Sequence, residues 1–271
     1  MYDFSGDESE SHAKAGSGPH RALMLLEAPR VAGEYAATRA IDLIAPGRPS
    51  GAGRPVLVIP GFRATDAMTG RLRSHLKQHD FRVHGWAQGA NIGLTDKRID
   101  GLIARFEEIR DRYDEPISIV GWSFGGVLGR WLAHTYPDDV RQIVCLGSPW
   151  RADGEKTRAT ALFEASRRKY GLSERARPMI DRMRGQVPVP TTAVWSKTDG
   201  IVPWRGCVVE ESSDPVAENV SVASSHVGMV ASPLVLDVVV DRLTQDLADW
   251  REFTWRRALL AKWNPLAGRA A

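Results

Sequence analysis

The chain has 271 residues and a mass of 29.9 kDa, enough to bury a full core as one large α/β domain or two small ones. Hydrophobic residues at 43% and charged residues at 25% exclude a wholly disordered or fibrous chain. The two cysteines, Cys145 and Cys207, are too few for a disulfide-stapled scaffold or a cysteine-built zinc site. The net charge of +3 is uneven, with ten basic against five acidic residues in 151–184 and five against one in 251–271. The remainder is acidic, so a generally cationic nucleic-acid binder is not expected.

Residues 1–19 are acidic and polar, the reverse of a secretory signal's order, and are expected to form a disordered tail. No apolar run approaches a membrane span, so the expected location is cytoplasmic. Residues 20–54 form an N-terminal helical segment and connector. The helical stretch, 22–44, is interrupted by Pro29 and carries Glu27, Arg30, Glu34, Arg39 and Asp42. Residues 45–54 are turn-rich.

The main domain is expected over 55–249. Val56-Leu57-Val58-Ile59, closed by Pro60-Gly61, has the pattern of a strand buried on both faces. Met68, Leu72 and Leu76, four apart, predict a helix, and 81–86 a second strand. A longer helix is predicted over 96–113, with Thr95 or Asp96 as its cap. Next come a strand at 117–120, a helix at 125–136 ended by Pro137, and a strand at 140–146. A charged insertion, about 151–187, is predicted to form a small cap of two polar helices, 156–170 and 172–184, with apolar contacts from Leu162, Phe163, Tyr170 and Met179. Strands at 191–195 and 220–222 follow, and Ser232-Pro233 opens a helix running to about 247. This alternation predicts an α/β fold, a mostly parallel sheet with helices on both faces. The basic, tryptophan-rich segment 250–271 places Trp255, Leu259 and Trp263 four apart; docking on the domain is expected ahead of contact with an anionic membrane surface.

Gly121-Trp122-Ser123-Phe124-Gly125 is the sharpest motif, because it lies where a predicted strand passes into a predicted helix. That is the setting of a nucleophile elbow, in which the serine hydroxyl projects from a sharp turn. A serine hydroxyl needs a base, and the base an orienting acid. Past mid-chain only His226 offers an imidazole, between the last predicted strand and the last helix. Asp199 directly follows strand 191–195 and is the leading acid, with Glu210 or Glu211 as substitutes. Asp153, Asp181 and Asp214 trail no strand so closely. The backbone N–H groups of Phe62 and Phe124 are the expected oxyanion donors, one after the first sheet strand and one at the helix start. Trp122 and Trp150 flank these segments and are candidate substrate-binding walls.

On these residues the chain resembles the α/β-hydrolases, and within them the bacterial lipases and esterases. The matching pieces are 56–62, 121–126, Leu146-Gly147-Ser148-Pro149, 198–202 and 225–228. The resemblance implies that Ser123 is the nucleophile, Asp199 the acid, His226 the base, and Phe62 with Phe124 the oxyanion donors. In many relatives a His-Gly pair precedes the oxyanion residue; here Pro60 stands in the histidine's place. No counterpart of the calcium site of some bacterial lipases is evident, and no metal or cofactor is expected. The expected activity is hydrolysis of a small-molecule or lipid-like carboxylic ester through an acyl-enzyme. Alternatives are an acyl thioesterase or acyltransferase on the same triad, or a catalytically idle binding module. The arginines of the insertion, Arg167, Arg168, Arg175 and Arg177, suit an anionic acyl donor or lipid headgroup, although a solvated helix face is the plainer reading.

Overall fold

The computed structural model describes residues 19–44, 49–150, 157, 159–176, 185–213 and 215–263. The chain opens with α1 (Arg21–Leu25) and α2 (Glu27–Ile44). The break between them falls at Leu26, and Pro29 sits in the first turn of α2, where a missing N–H costs no helical bond. Then follow β1 (Pro55–Ile59), α3 (Gly70–Gln78), β2 (Arg82–Gly85), α4 (Asp96–Arg110), β3 (Ile117–Trp122), α5 (Phe124–Thr135) and β4 (Val140–Leu146). Beyond the insertion, with its helix α6 (Thr160–Tyr170), come β5 (Thr191–Trp195), β6 (Ser212–Ser213), β7 (Val216–Ser221), α7 (Pro233–Thr244) and α8 (Trp255–Trp263).

The sheet runs β2-β1-β3-β4-β5-β7-β6, parallel throughout except for the short antiparallel edge strand β6. β1 is fully buried and feeds both sides of the sheet. Leu57 and Ile59 pack with Phe106 of α4 and Leu128 of α5, whereas Val56 and Val58 pack with Leu72 of α3 and Leu236 of α7. This is the α/β class expected from the alternating pattern. The connection from β1 runs one way, to β2, and the chain then returns to place β3 on β1's other side. Such a switch in strand order opens a crevice at the strands' C-terminal ends, where doubly wound sheets bind ligands.

Several local expectations shift. Met68 precedes α3 and is exposed, so only Leu72 and Leu76 carry that helix's apolar face. In the insertion Phe163 is buried while Leu162 and Tyr170 are exposed. Glu174–Ala176 form a turn; Met179, Arg177 and the rest of the expected second helix lie outside the described residues, as do the tail 1–18, connector residues 45–48, Asp153, Asp181 and Asp214. α8 docks on α7, but through only part of the stripe read from the sequence: Trp255 is partly buried against the core. Leu259 and Trp263 are exposed, Ala258 is buried, and Lys262 and Arg257 pair with Asp237 and Asp241 of α7. Among the described residues no helix is long and apolar enough to cross a membrane.

Candidate active site

Strand register brings the motif segments together. Ile59 pairs with Gly121, Trp122 with Leu146, Leu146 with Val194, and Trp195 with Ser221. The loops leaving β1, β3, β4, β5 and β7 therefore emerge along one edge. Ser123 stands at the β3–α5 junction with φ 53° and ψ −124°, a left-handed backbone that a residue with a Cβ adopts only under strain. Its N–H donates to Leu146 O at 2.7 Å, tying the turn to the neighbouring strand.

Glycines make this turn possible by close approach. At Gly121 a Cβ would strike the backbone of Gly126. At Gly125 it would overlap Ile59 O and come within 2.8 Å of that carbonyl's carbon and 2.9 Å of Pro60 O. The elbow is thus pressed against the end of β1. Gly125→Ala should push the 60–62 loop off the elbow, lowering kcat about 10²-fold, the scale of a lost oxyanion donor. Stability should fall by about 1–3 kcal/mol from overpacking. Ester kinetics beside urea unfolding would measure both.

Asp199 and His226 form a buried pair, with Asp199 Oδ2 and His226 Nδ1 2.6 Å apart. Asp199's other oxygen accepts from the N–H groups of Ile201 and Val202 at 2.8 and 2.7 Å, which fixes the carboxylate's orientation. Burial alone would depress the His226 pKa, but the charge of Asp199, its hydrogen bond and the charge of Glu27 together raise it. Gly147, after β4, floors the pair: a Cβ there would lie 3.2 Å from His226 Nδ1 and 3.3 Å from Asp199 Oδ2. No hydrogen bond joins Ser123 Oγ to His226 among the described residues, and such contacts often tighten only with substrate bound. Glu210 and Glu211 lie apart from this pair; Glu211 accepts from Asn219.

Phe62 and Phe124 meet as an edge-to-face pair at 6.3 Å, and Phe163 of α6 packs on both rings at 5.3 and 5.0 Å. α6 is thereby anchored over the β1 loop and the elbow. Among the described residues nothing accepts the Phe62 N–H. Pro60 is held by the fully buried Asn91, whose Nδ2 donates to Pro60 O at 2.8 Å. The expected walls fare differently. Trp122 is 4% exposed and donates its Nε1 to His226 O at 3.0 Å, so it supports the histidine from the core. Trp150 stacks under the Arg130 guanidinium and lines a cavity of about 230 Å³ that includes none of Ser123, Asp199 and His226. Burial pushes the Cys145 thiol up to about 12 and the Cys207 thiol well above its ordinary value, so neither suits nucleophilic work.

Two sets of residues here have no counterpart in the motif reading: Asn91, and the trio Glu27, Arg30 and Glu34 of α2. The trio's spacing of three and four marks one helix face, but its partners lie some 170 to 200 positions away and leave no local signal.

Residues 38–164 match the family model described as alpha/beta hydrolase fold. Lipase LipV of Mycobacterium tuberculosis is 32% identical over 115 residues, covering 41% of this chain and 42% of the relative. The match thus spans about two fifths of that relative's length. One of the metagenome-derived lipolytic enzymes LipS and LipT superimposes with a TM-score of 0.54 at 16% identity, over 74% of this chain and 98% of that one. The Paleococcus ferrophilus monoacylglycerol lipase gives 0.53 at 18% identity, over 71% and 96%. At such identities the structural likeness establishes the fold.

Proposed function

From the match of residues 38–164 to the alpha/beta hydrolase fold model, we propose that the chain is an α/β-hydrolase that hydrolyses carboxylic esters through Ser123, His226 and Asp199. The observation that carries this reading is the buried 2.6 Å Asp199–His226 hydrogen bond, at the same sheet edge as a serine in a strained strand-to-helix turn. Ser123 Oγ attacks the ester carbonyl carbon while His226 Nε2 takes its proton. The tetrahedral oxyanion is stabilised by the Phe62 and Phe124 N–H groups. Collapse expels the alcohol, which receives the proton from His226. Water then attacks the acyl-serine by the same route and releases the acid. Asp199 holds the proton of Nδ1 and steadies the imidazolium that forms. The names of the lipase relatives favour ester or lipid-like substrates over other acyl compounds.

The test is hydrolysis of p-nitrophenyl esters from acetate to palmitate, with fluorophosphonate labelling followed by peptide mapping. Turnover on at least one chain length, with the label on Ser123, is the expected result. Labelling without turnover on any ester would turn the assignment to the thioesterase or acyltransferase alternative. Neither labelling nor turnover would leave a binding module.

A further inference from the structure

α2 lies at the domain's edge in sequence but not in space. Glu27, its first residue, is 7% exposed, and its carboxylate accepts three backbone N–H groups. Oε1 takes those of Gly200 at 2.9 Å and His226 at 3.0 Å, and Oε2 takes that of Val227 at 3.1 Å. Gly200 follows Asp199 directly, so one carboxylate bridges the backbone of the acid loop and the backbone of the histidine itself. One turn on, Arg30 donates to Thr198 O at 2.6 Å and to Thr198 Oγ1 at 2.8 Å. Another turn on, Glu34 accepts from Ser225 N and Ser224 Oγ, both at 2.9 Å, and from Ser225 Oγ.

The loops are shaped to receive these elements. At Gly200 a Cβ would lie 2.6 Å from the Leu23 backbone carbon of α1, and at Gly228 it would overlap a Glu34 carboxylate oxygen. Side chains at these two positions would lift α1 and α2 off the domain. Hydrogen bonds to a charged acceptor are stronger than neutral ones. Nearer the strands the two loops are joined by Ser196 Oγ, which donates to Ser224 O at 2.8 Å and accepts from Ser224 N at 3.2 Å, and by Thr198 Oγ1, which donates to Ser224 O at 3.2 Å. Glu27 ties the segments beyond, at Gly200 and His226, where the Asp199–His226 bond lies.

We propose that α2 is a positioning element of the catalytic triad, in which Glu27 holds the acid loop and the histidine loop in register through their backbone amides. This rests on reading Asp199 and His226 as acid and base. Glu27 acts on the reaction through His226 and touches no substrate. Its charge also acts on the imidazole, alongside Asp199; Glu34 and Arg30 face the flanking backbone, and the Cys207 thiol lies near Asp199. Removing the Glu27 charge therefore lowers the His226 pKa. Because the base must be neutral, the acid limb of kcat/KM moves to lower pH.

The experiment compares full-length wild type, Glu27→Gln and Glu27→Ala in ester kinetics against pH, with the His226 ring titration followed by NMR. The glutamine keeps the shape and one acceptor, but aims an NH₂ at an N–H. Alanine is expected to lower kcat about 10²-fold, the scale of a misplaced catalytic group. Glutamine should give a smaller fall, with KM within about twofold in both. In Glu27→Gln the acid limb and the NMR titration of His226 should both move down. Wild-type kcat and an unmoved His226 titration in folded Glu27→Gln, even with a lowered Tm, would overturn the proposal and leave α2 as packing. The NMR titration needs no substrate, so it decides the role of Glu27 even if the wild-type protein turns over no ester.

Discussion

Ser123→Ala is expected to lower kcat for p-nitrophenyl ester hydrolysis by about 10⁶-fold, with the residual rate carried by the oxyanion donors and binding alone. The fold should survive, because alanine meets the same backbone demand that serine already meets at φ 53°. That demand supplies a second, opposite expectation. Glycine enters the left-handed region without steric cost, so Ser123→Gly should be as inactive as the alanine variant yet more stable than wild type by about 1 kcal/mol. Urea unfolding of the three proteins beside their ester kinetics checks both parts. A serine that served only as a helix cap would give a different pattern, losing stability on replacement and leaving the rate alone. The structure already disfavours that role, since Ser123 precedes α5 without a side-chain capping bond.

Much of this architecture was legible because it is written in short-range patterns. The continuous apolar run of β1 requires burial on both faces, and a sheet covered on both faces in turn requires alternating crossover helices. The elbow was legible because glycine is the residue that lets Gly121 and Gly125 meet neighbouring backbone. Asp199 and His226 could be ranked because parallel strands deliver their following loops to one edge. What escaped were contacts between segments distant in sequence. Glu27 and Glu34 appear in the sequence only as charges on a helix, and nothing local says that their acceptors meet N–H groups beside the histidine. Trp122 fell next to the motif and so looked like a pocket wall, but strand alternation turns it into the core cluster under α7, where its N–H finds a carbonyl. α8 illustrates the same limit. Its four-residue apolar spacing predicts a buried stripe, but only Trp255 packs on the core, and ion pairs to Asp237 and Asp241 leave Leu259 and Trp263 exposed.

Asp199→Asn should lower kcat by about 10⁴-fold while changing neither the fold nor the ester bound, and its cause can be read from the hydrogen bonds around the carboxylate. Oδ1 accepts from two N–H groups, those of Ile201 and Val202, and only an oxygen can stay there. The asparagine must therefore keep its carbonyl toward that loop and turn its NH₂ toward His226 Nδ1. Facing a donor, Nδ1 becomes the acceptor, and the imidazole proton moves to Nε2, the nitrogen that should receive the proton of Ser123. The base is then present, correctly placed and in the wrong tautomer. The pH profile separates this from simple loss of packing. In wild type burial lowers the His226 pKa, but the charge and hydrogen bond of Asp199 and the charge of Glu27 together raise it, so the acid limb of kcat/KM should lie above the ordinary histidine value of about 6.5. Removing the carboxylate's charge withdraws the larger share of that support, leaving Glu27 alone to oppose burial, and the limb should fall. A variant that lost its rate through loosened packing would instead keep its limb where the wild type has it. The measurement is kcat/KM from about pH 4 to 9 on one ester for both proteins, with the fraction folded checked at each end of the range.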